Sequence, residues 1–491
     1  MAETAGTSSR TGPTHVQPED LFAFKLVGDP DVSPDGRRIA YVQQTASREE
    51  NRLETRLRLL ADGIDQAFTQ HHTDRKPRFT PDGRRLAFLS KRSGQSQVWW
   101  LSATGGEAEP LTRLEGGVCD FAFAPDGRTL AVLADLDEKG LRPEQKPNRD
   151  DEDDLFTKHT KDVRVVTELF YKADGAGFVQ AKRAQAVLIP LDGDTAAPPE
   201  RWRALTAWPY RHDGIAFSPN GRTLYVVADR SETHARDPHP QLWAFPLDGG
   251  EPQRLSPLEL AVRQATVSPD GRRVAFTAAR HAGLGYDNAG LYVVDAGEEA
   301  GEEAGAIRRL AELADCTFAN VALNDLPAPA RGDLIWAPDG RSLFTLCSER
   351  GSVQLVQVEV ETGEVTPLTA GEQVVYAFAA GAEAQRFALA VADPLNPGDI
   401  WELERATGTL NRLTTANRTI LTERTWSTPE HFEAQAEGGP YSTPWCSSPP
   451  TGRPAGATRR CFKSTVGRCR CTPMHSSWSS SAWPRKGMRS S

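Results

Sequence analysis

At 491 residues the chain has room for two to four ordinary domains or one large repeat architecture, and 38% apolar with 25% charged residues supports a sizeable core. A net charge of −9 argues against a general nucleic-acid binder, and no run approaches the roughly 18 apolar residues of a membrane span. The polar opening MAETAGTSSRTGPTHVQ has no apolar signal core, so a cytoplasmic address is expected.

After an N-terminal arm (1–24), one phrase recurs. It reads DVSPDGRRIAYV at 31–42, RFTPDGRRLAFL at 78–89, AFAPDGRTLAVL at 122–133, AFSPNGRTLYVV at 216–227, TVSPDGRRVAFT at 266–277 and IWAPDGRSLFTL at 335–346. Pro presets the first central turn position, Asp or Asn bonds the local backbone, and Gly takes the left-handed conformation that closes a hairpin. The Arg after Gly faces water. The apolar run that follows, such as Ile39-Ala40-Tyr41-Val42, is continuous, the pattern of a strand covered on both faces.

Each phrase leads into a second β-like run and often a Leu-Thr ending, as at Leu111-Thr112, Leu205-Thr206 and Leu368-Thr369. That makes about four strands per unit. The first spacings, Pro34 to Pro81 and Pro81 to Pro125, are 47 and 44 residues, the period of a β-propeller. Pro125 to Pro219 is 94, twice that period; it holds the acidic run Asp150-Asp151-Glu152-Asp153-Asp154 and ELFYKADGAGF at 168–178. This predicts one blade with a long solvated insertion, or an additional blade over 168–207. A degenerate last unit spans Val374 to Thr414. The expectation is an all-β, seven-bladed β-propeller over 25–415, with eight blades as the alternative.

The final 52 residues differ from the rest. Residues 1–439 hold 48 Lys/Arg and 66 Asp/Glu, whereas 440–491 hold nine Lys/Arg, no acid and four of the seven cysteines (Cys446, Cys461, Cys469, Cys471). The other three, Cys119, Cys316 and Cys347, are widely spaced, which predicts a reduced compartment and no disulfide framework.

These phrases, together with the opening PEDLFAFKLVGDPDVSPDG (18–36), ELFYKADGAGF and LTERTWSTPEHFEAQAEGG (421–439), resemble the N-terminal propeller of the prolyl-oligopeptidase family, in its acylaminoacyl-peptidase-like branch. The resemblance covers about residues 18–439. It implies that 416–439 is a linker to an α/β-hydrolase domain with a Ser nucleophile on a G-x-S-x-G elbow, followed by Asp and His. The sequence contains no G-x-S-x-G. Reading residues 440–491 with the frame shifted by one base permits Leu-Gln-Ile-His-Gly-Gly-Pro over 461–468, and Leu-Ala-Ala-Gln-Gly-Tyr-Ala-Val-Leu from 482 onward. Both are similar to the start of that family's hydrolase domain. The expectation is a frame slip near Gly439, leaving 440–491 an out-of-frame, disordered tail.

Other signals are weak. Cys469-Arg470-Cys471 with His475 lacks a second ligand pair. His71-His72 with Asp74 reads as a solvated polar loop. No motif assembles Ser, His and Asp, so no catalytic residue, cofactor-binding residue, cofactor or metal ligand is assigned. The resemblance implies that the propeller shields a serine peptidase site (acylaminoacyl-peptidase or dipeptidyl-aminopeptidase-like) and selects short peptides. From the charge and the absence of a long apolar run, no nucleic-acid or membrane partner is expected, and homo-oligomerisation is left open. The chain as written is expected to be inactive. The alternative is a non-enzymatic TolB-like propeller serving as a protein-binding scaffold.

Overall fold

A computed structural model describes residues 14–141, 166, 171–173, 177–178, 182–207, 209–234, 238–280, 287–296, 306–312, 316–322 and 334–431, with backbone fragments at 434–435, 441–442, 445–447 and 460–461. Antiparallel four-strand meanders follow one another along the chain. The first comprises Lys25–Val32, Arg38–Ser47, Arg52–Ala61 and Ile64–Ala67. The second comprises Arg75–Phe79, Arg85–Ser93, Gln95–Ser102 and Glu109–Pro110. In the third, Val118–Phe123 and Thr129–Leu136 are followed by Arg183–Asp192, whose outer edge carries Thr195–Ala196 and Arg203–Ala204.

The fourth and fifth begin at His212–Phe217 and Ala261–Val267 and end at Gln253–Arg254 and Arg308–Arg309. The sixth runs from Ile335–Trp336 to Val365–Pro367 and the seventh from Val374–Ala380 to Thr409–Arg412. One parallel pair, Val353 with Val374, joins these last two into a continuous sheet.

The third sheet accounts for the doubled spacing. Thr129–Leu136 pairs directly with Arg183–Asp192, so the intervening chain is inserted between two adjacent strands. Within it, Lys172–Ala173 and Gly177–Phe178 form a small hairpin of their own. The acidic run 150–154 lies outside the described residues.

The repeated phrase folds as its chemistry predicts. In all six copies the Gly lies at φ between 67° and 73°, and its N–H donates to the carbonyl three residues back at 2.8–2.9 Å. In four copies the Ser or Thr before Pro donates to the Asp or Asn carboxyl or amide oxygen at 2.5–2.7 Å. The first Arg after each Gly is exposed. A second Arg, where present, crosses to the next sheet: Arg38 Nη2 donates to Gly83 O at 3.0 Å, Arg273 Nη2 donates to Gly340 O at 2.8 Å, and Arg85 pairs with Asp194 at 3.2 Å. A seventh, cryptic copy spans 381–386, where Ala384 takes the left-handed position at φ 47° and bonds back to Gly381 O.

The second strand of each meander is buried on both faces, as the continuous apolar runs predict. Successive sheets share apolar layers. Ala40, Val42, Leu57 and Leu59 of the first pack with Phe79, Leu86 and Phe88 of the second. Val27, Ile39 and Tyr41 of the first also share a layer with Phe378 and Phe387 of the last. Burying each such side chain contributes about 1.5–3 kcal/mol.

The Leu-Thr endings are hydrogen-bonding devices. Thr69, Thr112, Thr206, Ser256, Thr369 and Thr414 each accept a third-strand N–H through the hydroxyl at 2.9–3.1 Å. Four of them donate the same hydroxyl to Gln97, Gln185, Gln354 or Asp399 on that strand at 2.7–2.8 Å.

The two ends of the described chain meet. Asn417 holds Lys25 by its N–H and its carbonyl, both at 2.8 Å. Arg424 forms a two-pronged ion pair with Asp20, and Thr14–His15 pairs in parallel with Arg424–Thr425. One expectation needs correction. Cys316 and Cys347 form a disulfide, because the loop carrying Cys316 hydrogen-bonds to the strand carrying Cys347 through Thr317 and Ser348. Spacing in sequence concealed that contact. In the C-terminal segment, Trp445–Ser447 pairs with Pro429–His431 and with Arg460–Cys461; most of 440–491 lies outside the described residues.

Candidate functional site: charges on the inner strands

An up-and-down meander places its turns alternately at two ends. The P-D-G turns occupy one end. The opposite end carries the second-to-third strand connections, including the departure and return of the insertion after Leu136, and the connections between sheets. It also carries the segments 14–24 and 416–431. The first strand of each sheet is the inner one: Lys25–Val32 packs against Arg75–Phe79 and Val374–Ala380, and His212–Phe217 packs against Val118–Phe123 and Ala261–Val267.

Near this second end, six inner strands are bulged against their neighbours. The extra residues are Asp29-Pro30, Lys76-Pro77, Cys119, Gly214, Arg263 and Tyr376. Bulges re-aim side chains, and Pro is tolerated there because no ladder N–H is needed. Asp29 and Lys76 hold positive φ values of 45° and 56°. Such strain in non-Gly residues clusters at functional positions.

These bulges carry charge. Asp29 pairs with Arg78 of the next inner strand at 2.9 Å, and Lys76 pairs with Asp120 of the one after. Asp31 accepts the Phe79 N–H at 2.8 Å. Arg75 donates to Ser96 Oγ at 3.2 Å, and desolvation holds its pKa below the usual guanidinium value. Burial, reinforced by Asp135 and Asp120, pushes the Cys119 thiol up to about 11, so it is a neutral thiol and a poor nucleophile. Burial also raises the Asp135 carboxyl, opposed by Arg211 and Lys182. Burial lowers the His212 imidazole to about 4; its Nδ1 lies 3.2 Å from Ala184 O. Tyr376 donates its hydroxyl to Val27 O. Arg230 lies over Trp243 at 4.8 Å and Tyr210 at 5.6 Å.

The loop at 71–74 is not the solvated loop its composition suggests. Asp74 is fully buried and takes Arg92 at 2.7 and 2.8 Å. Arg92 in turn lies over Phe88 and Trp99 at 5.2 and 5.0 Å. His71 Nδ1 lies 2.9 Å from Thr73 Oγ1 and 3.8 Å from Asp74 Oδ1. Both groups approach the same ring nitrogen, whereas a relay needs the base to use one nitrogen and its orienter the other. Among the described residues no group of His, Cys, Asp and Glu could hold a metal ion. Cys469, Cys471 and His475 lie outside the described residues.

The arrangement sets paired charges and one guanidinium without a bonded carboxylate on adjacent inner strands; among the described residues it presents no activated nucleophile. Sequence reasoning missed these residues, since GDPD and RKPR read as ordinary polar stretches. The repeated X-Pro at Asp29-Pro30 and Lys76-Pro77, each immediately before a phrase, was the available signal.

No family model matches the chain. Over 439 residues it is 27% identical to the uncharacterised peptidase YuxL of Bacillus subtilis (strain 168), covering 88% of this chain and 63% of that protein. Over 482 residues it is 22% identical to dipeptidyl-peptidase 5 of Porphyromonas gingivalis, covering 92% and 62%. The chain thus spans about three fifths of the length of these curated relatives. It superposes on an acylaminoacyl peptidase solved with Z-Gly-Gly-Phe-chloromethyl ketone with a TM-score of 0.64 and 15% identity, covering 89% of this chain and 60% of that one. It also superposes on the β-propeller domain of the trilobed protease from Pyrococcus furiosus with a TM-score of 0.50 and 13% identity, covering 80% and 99%. The chain is a β-propeller related in sequence to peptidases.

Proposed function

We propose that the chain is the propeller of a serine peptidase of the prolyl-oligopeptidase family, in its acylaminoacyl-peptidase-like branch, and that it controls access of short peptides to a hydrolase domain. The observation that carries this reading is the sequence match to two peptidases, which takes in 88% and 92% of the chain. In this reading the four-strand units close as seven blades, the last packing on the first through the shared apolar layer of Tyr41, Phe378 and Phe387. Among the described residues no strand is exchanged between the first and last blades. Asn417 with Lys25, and Asp20 with Arg424, hold the junction instead.

The segment 416–431 leaves from the end that carries the inner-strand charges, so a following hydrolase would sit over them. Residues 440–491 are, in this proposal, out-of-frame translation of that hydrolase's first codons; the abrupt loss of acid after 439 supports it. The nucleophile would then be encoded in the shifted frame, and the chain as written would not hydrolyse peptides. The test is a peptidase assay on the 491-residue chain beside a protein with the frame restored. The reading expects turnover sensitive to a serine reagent only in the restored protein. Such turnover in the chain itself, or none in a folded restored protein, contradicts it.

A further inference from the structure

We propose that Arg75 is a carboxylate-binding subsite at the charged end of the inner strands, taking the carboxylate of a short peptide. The inference rests on the peptide-handling reading above and deepens it. Its starting point is an imbalance among the inner-strand charges. Asp29 is committed to Arg78 and Lys76 to Asp120, each across to the neighbouring sheet. Arg75 has no carboxylate partner among the described residues. Its guanidinium carries five N–H donors, and the one hydrogen bond it makes among the described residues goes to a neutral hydroxyl, Ser96 Oγ at 3.2 Å.

The position makes this costly. Arg75 is half-buried at the first residue of its strand, and a partly desolvated guanidinium with no directly bonded carboxylate is a costly arrangement in a protein. It stays charged at neutral pH all the same. A carboxylate arriving there would supply the missing partner in the two-pronged geometry that guanidinium favours. Asp29 and Asp120 are near enough to act on Arg75 electrostatically, but each is already paired, with Arg78 and Lys76.

The anchor is fixed between two sheets. Ser96 lies on the third strand of the second sheet. Gly117, at φ 78°, approaches it so closely that a Cβ would sit 3.1 Å from Ser96 O. The same Gly117 carbonyl accepts the Asp135 N–H at 3.2 Å. Ser96 is thereby pinned where the second and third sheets meet, and it holds one edge of the guanidinium; among the described residues the other donors have no hydrogen-bond partner.

The experiment is fluorescence anisotropy of the full chain with fluorescein-labelled tetra-alanine in three forms: the free acid, the C-terminal amide, and an amide with one Ala replaced by Glu. The free acid should bind about tenfold tighter than the plain amide, the scale of one charge-assisted hydrogen-bonded pair. Arg75→Gln should bring the acid down to the level of the amide. If the Glu-bearing amide binds tightly instead, the subsite reads an acidic side chain, and the same loss in Arg75→Gln is required. Arg75→Lys, which keeps the charge and removes the fork, should lose part of the preference and serves if Arg75→Gln does not fold by circular dichroism. Equal binding of all three forms, or an unchanged preference in the folded Arg75 variant, overturns the subsite while leaving peptide handling intact. Failure of every form to bind overturns the peptide-handling reading itself.

Discussion

The two ends of the propeller are built on different principles. At the P-D-G end, each turn repeats the same short bonds around a left-handed Gly, and a second Arg ties three of the turns to the next sheet. At the opposite end no such repetition holds. The inner strands bulge, Asp29 and Lys76 adopt strained conformations, and charges pair across sheets in ways specific to each interface. The contrast shows where a repeat protein keeps its scaffold and where it places individual chemistry.

The largest expected effects come from the shared scaffold. Phe88 is fully buried between the first and second sheets, so Phe88→Ala should cost about 3–5 kcal/mol in chemical denaturation. At the irregular end, Asp74→Ala should cost about 3 kcal/mol, because it strands Arg92 against Phe88 and Trp99 without its counter-ion. A solvated loop, as the composition of 71–74 suggests, would lose less than about 1 kcal/mol. Denaturant midpoints for this pair of variants decide how structured the irregular end is.

Next comes pH. The folded-state pKa of His212 is depressed to about 4 from 6.5 by burial. Its contribution to stability is therefore complete above pH 6.5 and is lost as pH falls toward 4, by up to about 3 kcal/mol. His212→Gln should flatten that part of the stability–pH curve, measured by urea denaturation from pH 7 to pH 4.5. Asn417→Ala removes both bonds that join the last segment to Lys25 and should cost about 1–2 kcal/mol. A zero effect would mean the packing of Tyr41 against Phe378 and Phe387 holds the junction alone. The smallest change is a gain: Ala384→Gly relieves a left-handed Ala at φ 47° and should stabilise by up to about 1 kcal/mol in thermal melts.

Much of the fold was legible because it rests on local chemistry. Pro, Asp and Gly in sequence specify the turn, and unbroken apolar runs specify strands covered on both faces. The turn at 381–386 carries no P-D-G signature because Ala384 stands where the other copies have Gly, so only the degenerate unit around it, Val374 to Thr414, was legible. The candidate site was far less legible. Asp29 meets Arg78 and Lys76 meets Asp120 only once neighbouring sheets have stacked, and no local pattern encodes which residues will face each other. Asp74 likewise sits in a polar stretch, and burial is conferred on it by Arg92 and the aromatic rings around it.

The central claim is that a propeller for a peptidase continues, in another frame, into its hydrolase. The most direct test is to sequence the gene across codons 435–445 and about 250 codons beyond. The account predicts that a single-base shift near codon 439 opens a frame encoding His-Gly-Gly-Pro and, further on, G-x-S-x-G followed by Asp and His. If no register downstream encodes a hydrolase, the peptidase reading fails and a binding scaffold takes its place.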